Sequence, residues 1–228
     1  MMSYFVQQYC EEVITMSKPS DTAYTFIKTR ILDGTYRPSQ KLTEVQLSEE
    51  IGVSRNTVIK ALLKLEQENL ITIEKNKGAT IKSFSLQEVV NYLEIREALE
   101  GLAIRSAVSR ITDRDLGLLE QILRDMKDML ENGRFDEYSK LNKSFHEMIY
   151  AASVNRQAVE MIDTIKTQLN RFHFKTILVP GRNHESYMEH TRIFDALRSR
   201  DEDGAEKRVK EHVANVRRTI KDNYRYLL

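Results

Sequence analysis

Tryptophan is absent from the 228 residues, and cysteine occurs once, at Cys10. A single thiol excludes an intrachain disulfide and a zinc site built on thiolates. Three prolines and eight glycines are few breakers for this length, which favours long helices. No apolar run reaches the roughly 18 residues that a transmembrane helix needs. The opening stretch MMSYFVQQYCEEVITMSKPS starts without a basic residue and carries Glu11 and Glu12, so neither a secretory signal nor membrane attachment is expected and the expected location is cytoplasmic. Neither sign of charge dominates: 35 Lys and Arg face 34 Asp and Glu, a net +1. That balance argues against a nucleic-acid partner until its distribution is read. Residues 18–83 hold eleven basic against eight acidic side chains, while residues 1–17 hold two acids and no base. The positive excess sits in one segment, which is where a nucleic-acid footprint is to be sought.

Residues 1–17 read as a short amphipathic helix or a loose arm. Ser20 or Asp21 can cap a helix that runs to about Asp33, with Ala23, Phe26, Ile27 and Ile31 on one face and Gly34 ending it. TYRPSQKL reads as a connector. Thr43 caps the short helix EVQLSEEI, GVS is a tight turn, and Ser54 caps the longer helix RNTVIKALLKLEQEN. LITIEKNKGATIKSF reads as two short strands, with Lys75 to Gly78 as the turn between them. From Ser85 to Tyr226 only helical periodicity appears, with helices at about 85–109, 112–131, 134–152, 155–178, 184–199 and 202–225. Ser85, Thr112 and Asn155 suit as caps, and Gly133 and Gly204 mark breaks or weakened turns. The expected fold is mainly α. An arm (1–17) precedes a winged helix-turn-helix domain (18–83) and an antiparallel six-helix bundle (84–228) that carries effector binding and dimerisation.

Helix, tight turn, helix and a two-stranded wing is the arrangement that inserts its second helix into the major groove. The first turn of that helix then needs exposed donors and small groups, and SRNTVIKALLKLE supplies them. Ser54 caps and can donate to a phosphate, Arg55 can reach guanine acceptors bidentately, and Asn56 and Thr57 can read or brace base edges. Val58, Ala61, Leu62 and Leu65 fall on the opposite face. Thr43, Lys60 and Lys64 flank the helix, and Lys75, Lys77 and Gly78 at the wing tip can reach the backbone or the minor groove. The competing reading is an ordinary helical hairpin with solvated lysines.

The run ILDGTYRPSQKLTEVQLSEEIGVSRNTVIKALLKLEQENLITIEKNKGATI resembles the N-terminal domain of GntR-family transcription regulators. Ser39 and Asn69 stand where that pattern has glycine. Thr57 replaces a proline, Ile59 an arginine that commonly touches DNA in the family, and Lys60 a glutamate. The resemblance implies a DNA binder with an altered contact set, acting as a homodimer on an inverted-repeat operator.

All five histidines lie beyond residue 84: His146, His173, His184, His190 and His212. Asn142 and His146 share a helix face at i, i+4, while His190 and His212 sit in later helices. If the bundle joins those faces, three imidazoles and an oxygen suit a divalent ion, zinc or nickel, with coordination positions left open. The alternative is three separate core histidines. Arg96 and Glu100 likewise share a face, either as an intrahelical pair or as a clamp for a ligand carboxylate. LEIREALEGLAIRSAVSRIT, LNKSFHEMIYAASVNR and EHTRIFDALRSRDEDGAEKRVKEH resemble the FCD effector domain of the FadR subfamily, nearer its VanR-like branch. That resemblance implies a metal at Asn142, His146, His190 and His212, with Asn142 where aspartate is common. It also implies that Arg96 faces an effector pocket.

The expectation is a ligand-responsive regulator, a repressor that binds a small carboxylate effector at a divalent metal, and not an enzyme. Three alternatives are a direct metal sensor without an organic effector, a metal hydrolase and an acyl-chain-binding regulator. No general base or nucleophile constellation accompanies the histidines to support the second. Replacing Arg55 by alanine should weaken operator binding by about 1–3 kcal/mol and relax specificity at one base pair, read by fluorescence anisotropy on a set of single-base operator variants. Equal loss on every sequence contradicts base reading and makes Arg55 a phosphate contact.

Overall fold

Proline at position 19 starts the first helix of the described residues. In the computed structural model, which describes residues 18–74 and 78–227, α1 spans Pro19–Leu32, with Lys18 before it and no side-chain cap. The expected start at Ser20 or Asp21 is therefore moved back. Proline needs no N–H partner at the first helical position and already holds a helical φ; Asp21 lies inside the first turn, where its charge favours the helix dipole. The expected arm, 1–17, lies outside the described residues.

The chain divides into two units between Ser83 and Phe84. In the first, α2 (Glu44–Ile51) and α3 (Arg55–Gln67) follow α1. Thr43 Oγ1 accepts from the Gln46 N–H at 3.3 Å, and Ser54 Oγ from the Thr57 N–H at 3.2 Å. Both expected caps are thus formed, and Gly52 closes α2 at φ 75°. β2 (Ile71–Glu74) and β3 (Gly78–Ile81) pair antiparallel, with Thr72 opposite Thr80. The end of the expected connector is a third strand, β1 (Lys41–Leu42), on the other edge of β3. A strand of two residues carries no periodicity, so the pattern could not reveal it. Gly78, at φ 85°, lets β1 approach: a Cβ there would stand 2.6 Å from the Leu42 carbonyl oxygen. Ile27, Leu47, Val58, Leu62, Leu65 and Ile71 form the core of this unit.

The second unit is helical. α4 (Leu86–Val108), α5 (Asp113–Glu131), α6 (Phe135–Ala152), α7 (Arg156–Thr176), α8 (Arg182–Arg198) and α9 (Glu202–Leu227) follow one another with short links. Ser85 and Thr112 each form a full capping box, and Asn155 Oδ1 accepts from the Ala158 N–H at 3.0 Å. Gly133 breaks the chain at φ 68°. Gly204 does not break it. It lies in the first turn of α9 and donates its N–H to Asp201 Oδ1 at 2.9 Å, and a Cβ there would meet that carboxylate at 2.1 Å.

α4 packs against α6, α7 and α9, and α5 packs against α6 and α8. One apolar cluster holds Ile104, Leu119, Phe145, Ile193 and Val209, another Val89, Leu93, Leu169, Val213 and Ile220. On α4, buried Arg96 and Glu100 interrupt the apolar face between Leu93 and Ile104. On α9, buried His212 does the same between Val209 and Val213. The polar site is set at this junction inside the bundle.

Ser39 and Asn69, the two departures from glycine, both adopt left-handed backbone, at φ 64° and 61°. Ser39 is exposed, its hydroxyl only 3.2 Å from that of Ser83. Asn69 accepts a bond from the Lys82 ammonium, and asparagine tolerates this region better than serine. Ser39→Gly should raise stability by about 0.5–1 kcal/mol, more than Asn69→Gly, in urea titrations. A loss of stability in Ser39→Gly contradicts the account of strain at this turn.

Candidate functional site

Three histidines from three helices meet in the second unit: His146 of α6, His190 of α8 and His212 of α9. Their ring centroids lie 4.7–5.2 Å apart, and one ligand atom of each falls within 4.8 Å of the other two. All three are buried. The outer nitrogens of two rings are already committed. His190 Nδ1–H donates to the Ser186 carbonyl at 2.5 Å, and His212 Nδ1–H donates to Glu189 Oε2 at 2.7 Å. A proton on Nδ1 leaves Nε2 with its lone pair free, so both rings present acceptors inward. His146 Nε2 stands 3.0 Å from His190 Nε2. Two nitrogens about 2.1 Å from one ion at ordinary coordination angles stand about 3.0–3.4 Å apart. The His146–His190 pair has that spacing, and the His212 ligand atom lies within 4.8 Å of both, so the three rings form a group able to hold a divalent ion.

Glu189 fastens the far side of the cluster. Its Oε2 also accepts from Arg182 Nη2 at 2.8 Å, and its Oε1 from Asn215 Nδ2 at 2.7 Å. Burial alone would raise this carboxyl, but the His212 bond and the Arg182 charge outweigh it and hold it down at about 2.

Arg96 and Glu100 form the intrahelical pair, Nε to Oε1, and both are fully buried. Burial disfavours the Glu100 carboxylate, but the Arg96 charge prevails and keeps its pKa below the usual range. Among the described residues neither Glu100 Oε2 nor His146 Nδ1 has a hydrogen-bond partner, and the two stand 3.9 Å apart. Tyr150 stacks obliquely on His146 with centroids 6.0 Å apart, and burial together with the neighbouring Glu100 carboxylate pushes its hydroxyl well above the ordinary tyrosine range. Asn142 is half-buried, one turn before His146 on α6. His184 lies exposed in the first turn of α8, its N–H bonded to Asn183 Oδ1.

In the first unit, α3 presents Arg55, Asn56, Lys60 and Lys64 exposed, with Thr57 half-buried behind the Ser54 cap. Among the described residues Arg55 makes no hydrogen bond or ion pair, so its guanidinium is available to a partner. Lys64 is drawn toward α1, 3.4 Å from Asp21 Oδ1 and 4.3 Å from the centre of the Tyr24 ring. Thr43 is occupied as a cap, and Gly78 opens β3. Lys75 and Lys77 lie outside the described residues.

Four residues of the helical site escape the sequence pattern: Tyr150, Lys166, Arg182 and Glu189. Lys166 leaves a trace. It stands four residues after Ile162, on the face that α7 buries through Ala158, Ile162 and Leu169. Nothing in the spacing joins Glu189 to His212, which lies 23 positions later.

Residues 19–81 match the family described as bacterial regulatory proteins, gntR family, and residues 91–215 match the FCD domain. A regulator from Bacillus subtilis, HTH-type YdhC, is 29% identical over 83% of this chain and 85% of its own. The transcriptional repressor RspR of Escherichia coli is 26% identical over 87% of each. Among solved structures, McbR/YncC of E. coli shares the fold at a TM-score of 0.73 and 21% identity, covering 92% of this chain and all of that one. Among the described residues no helix is long and apolar enough to cross a membrane.

His146 and His190 are each held well below the ordinary histidine pKa of 6.5, first by burial, then by His190 in one case and by His212 in the other. Folded pKa values that low mean that the unfolded chain takes up protons first as pH falls. The contribution to stability is complete above about pH 6.5 and is lost below it, by roughly 1.4 kcal/mol per pH unit for each ring. Urea titrations of metal-free protein should show this slope beneath pH 6.5 and a shallower one in His190→Asn. Equal slopes in the two proteins contradict the burial of a neutral His190.

Proposed function

The chain belongs to the GntR family of bacterial regulatory proteins and carries an FCD domain, and from that premise we propose that it is a repressor whose operator affinity is set by a small organic acid bound at the histidine cluster. It is a DNA-binding transcription regulator and not an enzyme. The observation that carries the finer reading is the convergence of three buried imidazoles, two of which have Nδ1 committed to partners outside the cluster. His146, His190 and His212, with Asn142 as the oxygen donor, are the proposed holders of a divalent ion, zinc or nickel. Such an ion supplies a Lewis-acidic position for a carboxylate. Glu189 and the Ser186 carbonyl orient two of the rings. Arg96, locked by Glu100, contributes fixed positive charge on the inner wall of the effector site.

The DNA-binding residues proposed are Thr43, Ser54, Arg55, Asn56, Thr57, Lys60, Lys64 and Gly78, with Lys75 and Lys77 at the wing tip. Repression is supported by the similarity to RspR of Escherichia coli, a transcriptional repressor. A homodimer on an inverted repeat is supported by α4, which leaves Ile95 and Leu102 about half exposed on one stripe, and by the symmetry that a two-headed reader imposes on its operator. A regulator of this kind works in the cytoplasm, where its DNA is.

The acid acts by binding one state of the regulator better than the other, a difference of about 1–3 kcal/mol. Fluorescence anisotropy with a duplex selected by the protein itself tests this. Adding a binding acid to metal-loaded protein should change operator affinity roughly 5- to 150-fold, and His190→Ala should abolish the change. If the metal alone sets operator affinity and acids change nothing, the chain is a direct metal sensor. If neither changes it, ligand response at the cluster is contradicted.

A further inference from the structure

α3 turns an aliphatic row outward among polar and cationic neighbours. Val58, Ala61, Leu62 and Leu65 are its buried residues and fix the face that meets the core. Arg55, Ile59 and Leu63 follow one another at i, i+4 along a single row off that face. Arg55 is exposed, Ile59 is half-buried and Leu63 keeps 49% of its surface exposed. Asn56, Lys60 and Lys64 lie beside them, all exposed. Among the described residues, the partly buried apolar side chains that pack on the core of this unit are Tyr24, Phe26, Ile31, Ile51, Val53 and Ile73, and Ile59 is not one of them. The large apolar side chains left exposed in the described part of this unit, Val45 and Leu63, both lie on the helix-turn-helix, on α2 and α3. Single exposed apolar residues are ordinary. An aliphatic row beside an unpaired arginine, on the helix that follows the tight turn, calls for a partner that is both anionic and locally apolar.

We infer that Ile59 is a specificity-determining residue of the DNA contact: its side chain packs on the 5-methyl group of a thymine in the major groove. This rests on the reading of α3 as the helix that enters the groove. The floor of that groove offers hydrogen-bond donors and acceptors and one apolar group, the thymine methyl. An aliphatic side chain set against guanine, adenine or cytosine strips water from polar atoms and returns no hydrogen bond, which is unfavourable. Set against thymine, it buries a methyl group. Arg55, one turn earlier on the same row, carries the fork that suits guanine O6 and N7. One turn of helix is about 5.4 Å and one base step about 3.4 Å. The thymine therefore falls within about two base pairs of the base that Arg55 meets.

Replacing a thymine by deoxyuridine removes the 5-methyl group and keeps every donor and acceptor of the base pair, so it isolates this contact. The full-length protein first selects its own sequence from a random duplex pool. Fluorescence anisotropy then compares thymine with deoxyuridine at each position of the selected duplex. Wild type should enrich a T·A pair within about two base pairs of the pair whose preference Arg55→Ala relaxes. It should bind the deoxyuridine duplex about fourfold more weakly there, the worth of one buried methyl group. Ile59→Ala should bind the two duplexes equally, and Ile59→Arg should shift the preference at that pair from T·A to G·C. The two affinities are compared within each protein, so a general loss of folded protein leaves their ratio unchanged. Wild type that loses nothing at any deoxyuridine, or a methyl preference that survives in Ile59→Ala, overturns the inference and leaves the groove reading of α3 standing. A selected sequence that neither Arg55→Ala nor Ile59→Ala alters overturns both.

Discussion

Three imidazoles face one another inside a helical bundle, all of them buried, and this constraint organises the second unit. Rings that close cannot all carry protons, and burial keeps His146 and His190 neutral. Neutral rings need defined tautomers, and the protein sets two of them from outside: the Ser186 carbonyl takes the Nδ1–H of His190, and Glu189 takes that of His212. Glu189 needs its own balance and finds it in Arg182 at the start of α8 and Asn215 on α9. One carboxylate thereby ties α8 to α9 while aiming the lone pair of His212 inward. Outer partners of this kind fix ligand orientation and basicity together.

The fourth wall is α4. Arg96 and Glu100 are buried side chains of opposite charge one turn apart. Burying such a pair is costly, and apolar residues of like volume often serve stability as well or better. A charged pair at this depth, with Glu100 Oε2 3.9 Å from Nδ1 of His146, is understandable as part of a polar site and hard to explain as packing. The surrounding apolar clusters supply the hydrophobic stabilisation that a bundle with such an interior needs.

Much of this was legible in the chain, for definable reasons. Ser54, Ser85 and Thr112 announce helix starts because an oxygen at that place has one backbone N–H to satisfy, and all three form the bond. The three clustered histidines share no local spacing, and what joined them beforehand was a resemblance to a domain; the bundle brings them together. The misses are as physical. β1 is too short to have a period. Gly204 looks like a breaker, yet its lack of a side chain is what lets Asp201 cap α9. Glu189 and Lys166 lie on helices whose pairing is a tertiary fact, so their partners could not be read from neighbours. Ser39 and Asn69 are instructive in the other direction: the substitutions spoke of altered glycines, and the backbone kept the glycine conformation all the same.

The central claim is that the cluster exists to hold an ion rather than to satisfy itself. The most direct measurement is the metal content of untagged protein by inductively coupled plasma mass spectrometry, after incubation with zinc or nickel and desalting, beside His190→Ala. The account predicts about one divalent ion per chain in wild type, the number one three-histidine site holds, and a loss of that ion in the variant. Wild-type protein that retains no ion, or a variant that retains as much as wild type, would contradict it.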